Sequence, residues 1–135
     1  MIFDAEARAK LKAGIDKLAQ AVGSTLGPKG RNVIFEREFN IPVVTNDGVT
    51  IAREVVLEDD YERIGADLLR EAAIKTNDVA GDGTTTAIVI AHELLNQAFQ
   101  RIEAGENPMD LKRQLEVELA KLLEEHQAKE LSNLR

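Results

Sequence analysis

One stretch of this sequence combines glycines, a carboxylate and hydroxyl side chains in the way that phosphate binding requires. In NDVAGDGTTTA, residues 77–87, Gly81, Asp82 and Gly83 precede three consecutive threonines and a long apolar segment. A helix starting at Thr84 would present unpaired backbone N–H groups and the positive end of its dipole, which together favour an anion. The glycines allow the backbone to approach a ligand because they carry no Cβ. The threonine hydroxyls supply further donors to phosphate oxygens.

Asp82 stands beside this predicted anion site and would repel a bare phosphate. Its presence therefore suggests a divalent cation between the carboxylate and the phosphate. Mg²⁺ is usually held by one or two carboxylates, substrate phosphates and water. A plain turn followed by a helix cap explains the same residues about equally well, so the spacing alone leaves both interpretations open.

Two further turns have related chemistry. STLGPKGRN, residues 24–32, contains two glycines, a proline, Lys29 and Arg31, and such a loop can approach phosphates, although a helix stop followed by a turn is the favoured interpretation. It is not a Walker A loop, because no Gly-x-x-x-x-Gly-Lys-Ser/Thr run occurs. In TNDGVT, Asp47 belongs to an Asn-Asp-Gly turn, which is most often turn chemistry only. Two Asp-Gly turns can jointly hold a metal–phosphate group and a water.

The composition excludes several function classes. The chain has 135 residues, about one domain, and a formal charge of −7, which argues against nucleic-acid binding through counterion release. It contains no cysteine, and its two histidines, His92 and His126, are far apart on helical patterns, so neither a thiolate catalyst nor a zinc site is expected. No apolar run suits a membrane span, and the N-terminus does not resemble a signal peptide. We expect the cytoplasm, or an organelle interior, as the location.

Apolar periodicity predicts the elements that position these motifs. Gly27 is the expected left-handed cap of the first helix, and Pro28 blocks its continuation. VTIAREV, residues 49–55, is either a strand or one helical turn. The linker between the two predicted strands contains Asn40 and Pro42. The predicted helices are about Asp4–Leu26, Asp59–Val79, Thr84–Gly105 and, after an Asn107 cap, Pro108–Leu131, and the predicted strands are about Asn32–Glu38 and Val43–Thr45.

The apolar residues also predict the buried faces. Ile64, Leu68 and Ala72 should form the inner face of the second long helix, and the third is apolar all round in its first half, which is typical of the inside of a bundle. The fourth predicted helix should bury the one face along which its apolar residues are aligned. The expected fold class is mainly α: an elongated helical bundle of four main helices with a small β-hairpin element. The stripes predicted for the first and fourth helices consist of Leu11, Ile15, Leu18, Val22 and Leu26, and of Leu111, Leu115, Leu119, Leu122 and His126.

Four separated motifs together resemble a known family. LGPKGRNV, TNDGVTIAREV, TNDVAGDGTTTA and AGENPMDLKR occur in the same order and spacing as in bacterial and organellar group I chaperonins, the GroEL type. The resemblance covers about Phe3 to Glu125 and corresponds to the first part of the family's ATP-binding equatorial domain. It implies a single partial domain over residues 1–135.

The resemblance also implies roles for individual residues. Asp82 resembles the Mg²⁺ ligand, and Asp47 resembles the carboxylate that helps to orient the attacking water. Asn46 stands where many members have a nucleotide-contacting lysine, which removes one cation. The first loop resembles one that contacts phosphate and a monovalent cation, K⁺. The nucleotide-binding residues implied are Thr25, Leu26, Gly27, Pro28, Asn46, Asp82, Gly83, Thr84, Thr85 and Thr86.

The function implied is that of an ATP-dependent protein-folding chaperonin, with other subunits in a ring, a co-chaperonin lid, and unfolded proteins held by the apical domain. The family's second hydrolytic aspartate, its hinge segments and its apical domain have no counterpart in this sequence, and HQAKELSNLR has no clear match. A truncated gene product, a split gene and an artificially shortened chain all fit. We therefore expect weak Mg-ATP binding and little turnover; whether the chain is an enzyme stays open. The alternative is a non-catalytic helical remnant or interaction module.

Overall fold

The structure is a computed structural model that describes residues 4–27, 29–37 and 41–133. It is mainly helical with a two-stranded antiparallel sheet, as predicted. None of its described helices is long and apolar enough to cross a membrane. The elements in chain order are α1 (Asp4–Gly23), β1 (Val33–Arg37), β2 (Ile41–Thr45), α2 (Gly48–Glu54), α3 (Asp60–Ala80), α4 (Thr84–Glu103) and α5 (Pro108–Asn133).

Backbone contacts divide the chain into two compact units, Met1–Asn96 and Gln97–Arg135. The first unit is organised around α1 and α3, which pack along each other, with α2 against both. Gly14 and Gly65 lie where α1 and α3 cross. Aliphatic side chains and alanines fill this core, as the scarcity of aromatic residues requires. The fully buried members include Ile15, Leu18, Val22, Ile51, Ala66, Leu69, Ala73 and Ile88.

The first helix ends earlier than its apolar pattern predicts. It stops at Gly23 rather than Leu26, and the chain continues in tight turns in which the amide of Thr25 donates to Val22 O and that of Leu26 to Gly23 O. The predicted stripe of α1 is buried at Ile15, Leu18 and Val22, whereas Leu26 is exposed. Gly27 is left-handed, with φ of 80°, as expected. It lies beyond Gly23, where the helix ends, so the prediction that it caps the helix is wrong. Pro28 lies outside the described residues.

The two strands form the predicted hairpin, with Val33 opposite Thr45 and Glu36 opposite Pro42. The second strand starts at Ile41, two residues before the predicted start, and so includes Pro42. A proline is tolerated here because in a two-stranded sheet both strands are edges. Asn40, predicted in the linker, lies outside the described residues.

The segment that the pattern left undecided is helical. It forms α2, a helix of 7 residues, because Asp47 caps its first turn and its inner side is buried. Val49, Ile51 and Ala52 are the apolar residues buried there. Seven residues complete fewer than two helical periods, so apolar spacing gives little information about such a segment.

The predicted inner face of α3 is wrong. Ile64 and Leu68 are 52% and 60% exposed. The face that packs lies one residue further along and consists of small residues with one leucine: Gly65, Ala66, Leu69 and Ala73. Close approach of two helix backbones requires small side chains, so small residues dominate this face, and Ile64 and Leu68 are left exposed.

Helix α4 is not enclosed by other elements as predicted, and the apolar stripe predicted for α5 is mostly not buried. Among the described residues of α4 only Thr84 and Ile88 are buried, and Ile90 and Leu94 are exposed. In α5 only Leu111 is buried within residues 108–133, whereas the leucines and histidine further along the predicted stripe are exposed. The cap of α5 is as predicted, since Asn107 Oδ1 accepts a hydrogen bond of 2.8 Å from the amide of Met109.

Candidate functional site

The three glycine-containing turns singled out in the sequence line one cavity of about 350 Å³ in the first unit. The turn after α1, the loop before α2 and the start of α4 each contribute a wall. This volume lies in the range of sites that hold small ligands. The lining residues are Thr25, Leu26, Gly27, Asn46, Asp47, Gly48, Asp82, Gly83, Thr84, Thr85 and Thr86.

The turn between α3 and α4 forms the wall with the most backbone donors. Gly81 ends α3 in the left-handed conformation, with φ of 69°, and its amide donates to Asn77 O at 2.9 Å. Gly83 is also left-handed, with φ of 76°. Ala87 makes the first helical bond of α4, to Gly83 O at 2.9 Å. The three threonine amides precede that bond and have no acceptor within the helix, which makes this wall suitable for an anion.

Gly48 brings the second wall against the start of α4. A Cβ at Gly48 would lie 2.3 Å from Thr85 Oγ1 and 3.0 Å from the Thr85 backbone nitrogen. A Cβ here would require the Thr85 side chain to move and its backbone to shift by a few tenths of an ångström. Sequence reasoning did not assign Gly48 to the site, although its place in the Asn-Asp-Gly turn was the available signal.

Asp47 serves as the N-cap of α2. Its Oδ2 accepts hydrogen bonds from the Thr50 amide, at 3.1 Å, and from the Thr50 hydroxyl. The Asp47 amide in turn donates to Thr45 Oγ1 at 3.1 Å. These bonds fix the orientation of a carboxylate at the cavity wall. Because both of the bonds to Thr50 use Oδ2, Oδ1 is the oxygen through which Asp47 can act on a ligand or a water.

Asp82 faces the same cavity from the opposite turn and is exposed. Its Oδ1 accepts a hydrogen bond of 2.7 Å from the Gly83 amide. Among the described residues, the lining thus holds two carboxylates and no lysine or arginine. A phosphate would be repelled there unless a cation lay between. Nowhere in the described parts of the chain do three or more His, Cys, Asp or Glu side chains cluster as metal ligands, so a bound Mg²⁺ would take its remaining ligands from phosphate and water.

The turn after α1 is a compact loop. Gly30 donates to Gly27 O, and Arg31 donates to Ser24 O, both at 2.9 Å. A Cβ at Gly30 would lie 2.1 Å from Thr25 O, so the loop closes on itself at a glycine. Thr25 to Gly27 line the cavity, whereas the exposed cations of this loop, Lys29 and Arg31, do not. The loop therefore reaches the cavity through its first residues and not through its two cations.

The histidines lie away from the cavity. His92 Nε2 is 2.8 Å from Asp16 Oδ1, which links α4 to α1. Burial raises the pKa of Asp16, but hydrogen bonds from Lys12 and His92 outweigh it and leave this pKa below its ordinary value. His126 Nε2 lies 3.3 Å from Glu130 within α5. Both histidines thus contact carboxylates outside the cavity.

Every residue predicted to contact the nucleotide lines this cavity, apart from Pro28, which lies outside the described residues. Motifs from residues 25–27, 46–48 and 82–86 therefore meet at one place. The individual roles, with Asp82 on the metal and Asp47 on the water, stay predictions.

Comparison with known proteins gives a consistent result. Residues 18–134 match the TCP-1/cpn60 chaperonin family. Two crystal structures of the chaperonin gp146 from the bacteriophage EL 2 (Pseudomonas aeruginosa), both in the presence of ATP-BeFx, are similar to this chain. One is 33% identical with a TM-score of 0.65, over 72% of this chain and 17% of that one. The other is 32% identical with a TM-score of 0.66, over 74% and 18%.

The chain thus spans less than a fifth of the length of these solved chaperonins. The family match covers most of the chain and includes all of the described residues that line the cavity. The resemblance read from the four motifs is confirmed, and the chain belongs to the TCP-1/cpn60 chaperonin family.

Proposed function

We propose that this chain binds Mg-ATP at the cavity beside α4, as the ATP-binding portion of an ATP-dependent protein-folding chaperonin. The observation that carries the proposal is the meeting of three glycine turns around two carboxylates and the N-terminus of α4. The solved relatives support it, because gp146 was crystallised in the presence of ATP-BeFx.

The residues present fit a magnesium–triphosphate group. The first-turn amides and hydroxyls of α4 would receive phosphate oxygens, and the left-handed glycines on either side of Asp82 give the backbone access. Asp82 would hold the ion. Bound magnesium would neutralise phosphate charge in a cavity whose own side-chain charges are negative. Thr25 to Gly27 would form a further wall, and K⁺ would bind to backbone oxygens of this loop.

Asp47 would orient the attacking water through the carboxylate oxygen that does not cap α2. General-base and water-orienting groups commonly supply ~10²–10⁴-fold in rate. The resemblance assigns a second hydrolytic aspartate to a later segment of the family's equatorial domain, which these 135 residues do not contain. We therefore propose weak binding and little turnover for the chain alone. Ring assembly with other subunits, a co-chaperonin lid and capture of unfolded protein belong to the complete chaperonin.

A second candidate function is an interaction module without catalysis. The exposed aliphatic side chains favour it, because contiguous apolar surface commonly marks a binding interface. Leu119, Leu122 and Leu123 on α5 are 57%, 62% and 54% exposed. Under this alternative the cavity would bind no nucleotide.

Equilibrium titration separates the two functions. Calorimetry with ATP is done with and without Mg²⁺ on the full chain, and on Asp82→Ala. Binding that requires Mg²⁺ and is lost in the variant supports the nucleotide site. Absence of Mg-dependent binding at millimolar ATP leaves the interaction module as the better description. Steady-state release of phosphate then measures whether any hydrolysis occurs.

A further inference from the structure

We propose that Arg70 is a positioning residue for the cavity, acting through α2 on the wall that carries Asp47 and Gly48. Arg70 lies on α3 and does not line the cavity. The inference rests on the proposed function and extends it to a residue that neither the motifs nor the family resemblance singled out. Its basis is the way in which the two ends of α2 are held.

The guanidinium of Arg70 caps the carboxyl end of α2. Nε donates to Ala52 O and Nη2 donates to Val55 O, each at 2.6 Å. The third nitrogen, Nη1, pairs with Asp67 one turn earlier on α3. Arg70 is mostly buried, with 19% of its side chain exposed. A planar guanidinium with one group on Asp67 and two on carbonyls has a single preferred orientation, so α3 holds the end of α2 rigidly.

The carbonyls that Arg70 contacts need such a partner. The last carbonyls of a helix lack intrahelical donors, and the chain leaves the helix at Val55 in an extended conformation. Beyond the end of α2, only the Val55 amide makes a further helical hydrogen bond, to Ile51 O at 3.1 Å. Hydrogen bonds from a charged donor are stronger than those between neutral groups. Arg70 therefore fixes the position of this helix end more firmly than a neutral cap would.

The other end of α2 lies at the cavity. Asp47 caps its first turn, and Gly48 contacts the Thr84 and Thr85 side of α4. Seven residues at ~1.5 Å each make a rod of about 10 Å, and a helix this short is not stable by itself. Val49, Ile51 and Ala52 are buried between the two ends, so α2 is packed along its length. A displacement at the Arg70 end of α2 would therefore be transmitted to the Asp47 end.

Arg63 offers a matched control on the same helix. Its Nε donates to Leu57 O at 3.2 Å and its Nη2 donates to Glu58 O at 3.3 Å. It therefore makes the same type of bond, from α3 to carbonyls of the preceding loop. These carbonyls lie beyond α2, so loss of Arg63 should leave the cavity wall in place.

The experiment compares Arg70→Met with Arg63→Met in the full chain. Methionine keeps an unbranched stem and removes the donors. Mg-ATP affinity is measured by calorimetry. Amide hydrogen exchange is measured at Ile51, which donates to Asp47 O at 3.0 Å, with the amides of α1 as an internal reference. We expect Arg70→Met to weaken Mg-ATP binding about three- to tenfold and to accelerate exchange at Ile51 selectively. Arg63→Met should do neither.

The outcomes separate the possible failures. Unchanged affinity and unchanged Ile51 exchange in Arg70→Met would overturn the inference, as would acceleration spread evenly over α1 and α2, which indicates a general stability role. If wild type shows no Mg-ATP binding, the proposed function fails, and the Ile51 exchange alone decides whether Arg70 positions α2. If Arg70→Met does not fold, Asp67→Asn loosens the guanidinium without removing it, and a smaller change in the same direction is expected.

Discussion

Gly14 of α1 and Gly65 of α3 each lie against a backbone carbonyl of the other helix. A Cβ at Gly14 would be 1.8 Å from Glu62 O, and a Cβ at Gly65 would be 2.0 Å from Leu11 O. Each carbonyl is that of the residue three positions before the facing glycine. The contact is therefore reciprocal, and it sets the separation of the two helices that form most of the core.

Replacing either glycine by alanine should destabilise the fold. Alanine gains helix propensity of roughly 0.5–1 kcal/mol, but the overlap with backbone forces the helices apart, at a cost of about 1–3 kcal/mol or more. The free energy of unfolding in urea, for Gly14→Ala and Gly65→Ala, measures the difference. Gly23→Ala is the control, because its Cβ would meet only Val89 Cγ2, at 3.8 Å. Equal stability of all three variants would contradict the crossing geometry.

Gly48→Ala should weaken nucleotide binding more than it weakens the fold. The added Cβ would press on the Thr85 backbone at 3.0 Å and separate the Asp47 loop from α4. Overpacking of this kind costs about 1–3 kcal/mol, and here it acts on two walls of the cavity. Calorimetric Mg-ATP affinity and the midpoint of thermal unfolding are compared with those of Gly23→Ala. A variant with wild-type affinity would show that the two walls need not touch for binding.

The sequence predicted the cavity better than it predicted the packing around it. Gly83 and Asp82 have local signatures, since a left-handed turn and a carboxylate beside a helix start are encoded by neighbouring residues. The buried face of α3 was missed because it depends on contact with Gly14, about fifty residues away. Arg70 was missed for a similar reason: its acceptors are backbone carbonyls, which every residue has. A single sequence does not show which distant backbone segments meet.

The two carboxylates of the cavity should differ in their effect on binding. Asp82 is exposed, and its Oδ1 accepts a hydrogen bond from the neighbouring Gly83 amide, so its other oxygen can turn to an ion. Asp47, in contrast, caps α2 by accepting the Thr50 amide hydrogen bond at Oδ2. We expect Asp82→Ala to abolish Mg-dependent ATP binding and Asp47→Asn, which retains an oxygen for the cap, to retain most of it. Calorimetry at fixed Mg²⁺ makes the comparison, and equal affinities for both variants would show that these roles are wrongly assigned.

Stability should depend on pH through the pair formed by Lys10 and Asp59. Lys10 Nζ lies 2.6 Å from Asp59 Oδ2. This hydrogen bond lowers the pKa of Asp59 below 3.8 and raises the pKa of Lys10 above 10.5. The Asp59 contribution is present above its unfolded pKa and is lost as the pH falls through the lower folded value. The Lys10 contribution is present below pH 10.5 and is lost as the pH rises through the higher folded value.

Asp59→Asn tests the acid side of this dependence. Asparagine keeps the oxygen that caps α3, where Asp59 Oδ1 accepts from the Tyr61 amide at 2.9 Å, but it removes the charge. We expect the variant to be less stable than wild type at pH 7 and to lose less stability between pH 5 and pH 2. The free energy of unfolding in urea is measured across this pH range. Asp78→Asn, which changes an exposed carboxylate on α3, is the control. Parallel pH profiles for wild type and Asp59→Asn would exclude the pair as a source of acid sensitivity.

The exposed face of α3 should cause the isolated chain to associate. Ile64 and Leu68 lie one turn apart and are 52% and 60% exposed. An aliphatic side chain left in water forfeits roughly 1.5–3 kcal/mol of burial energy, against a typical total stability of ~5–15 kcal/mol. We expect concentration-dependent sedimentation and a broad calorimetric transition.

The double variant Ile64→Gln and Leu68→Gln should sediment as a smaller species at little cost in stability. Val79→Gln is the control, because Val79 is 90% exposed at the end of the same helix. This variant should sediment as wild type does. A sharply unfolding wild-type monomer at all concentrations would mean that this face needs no partner.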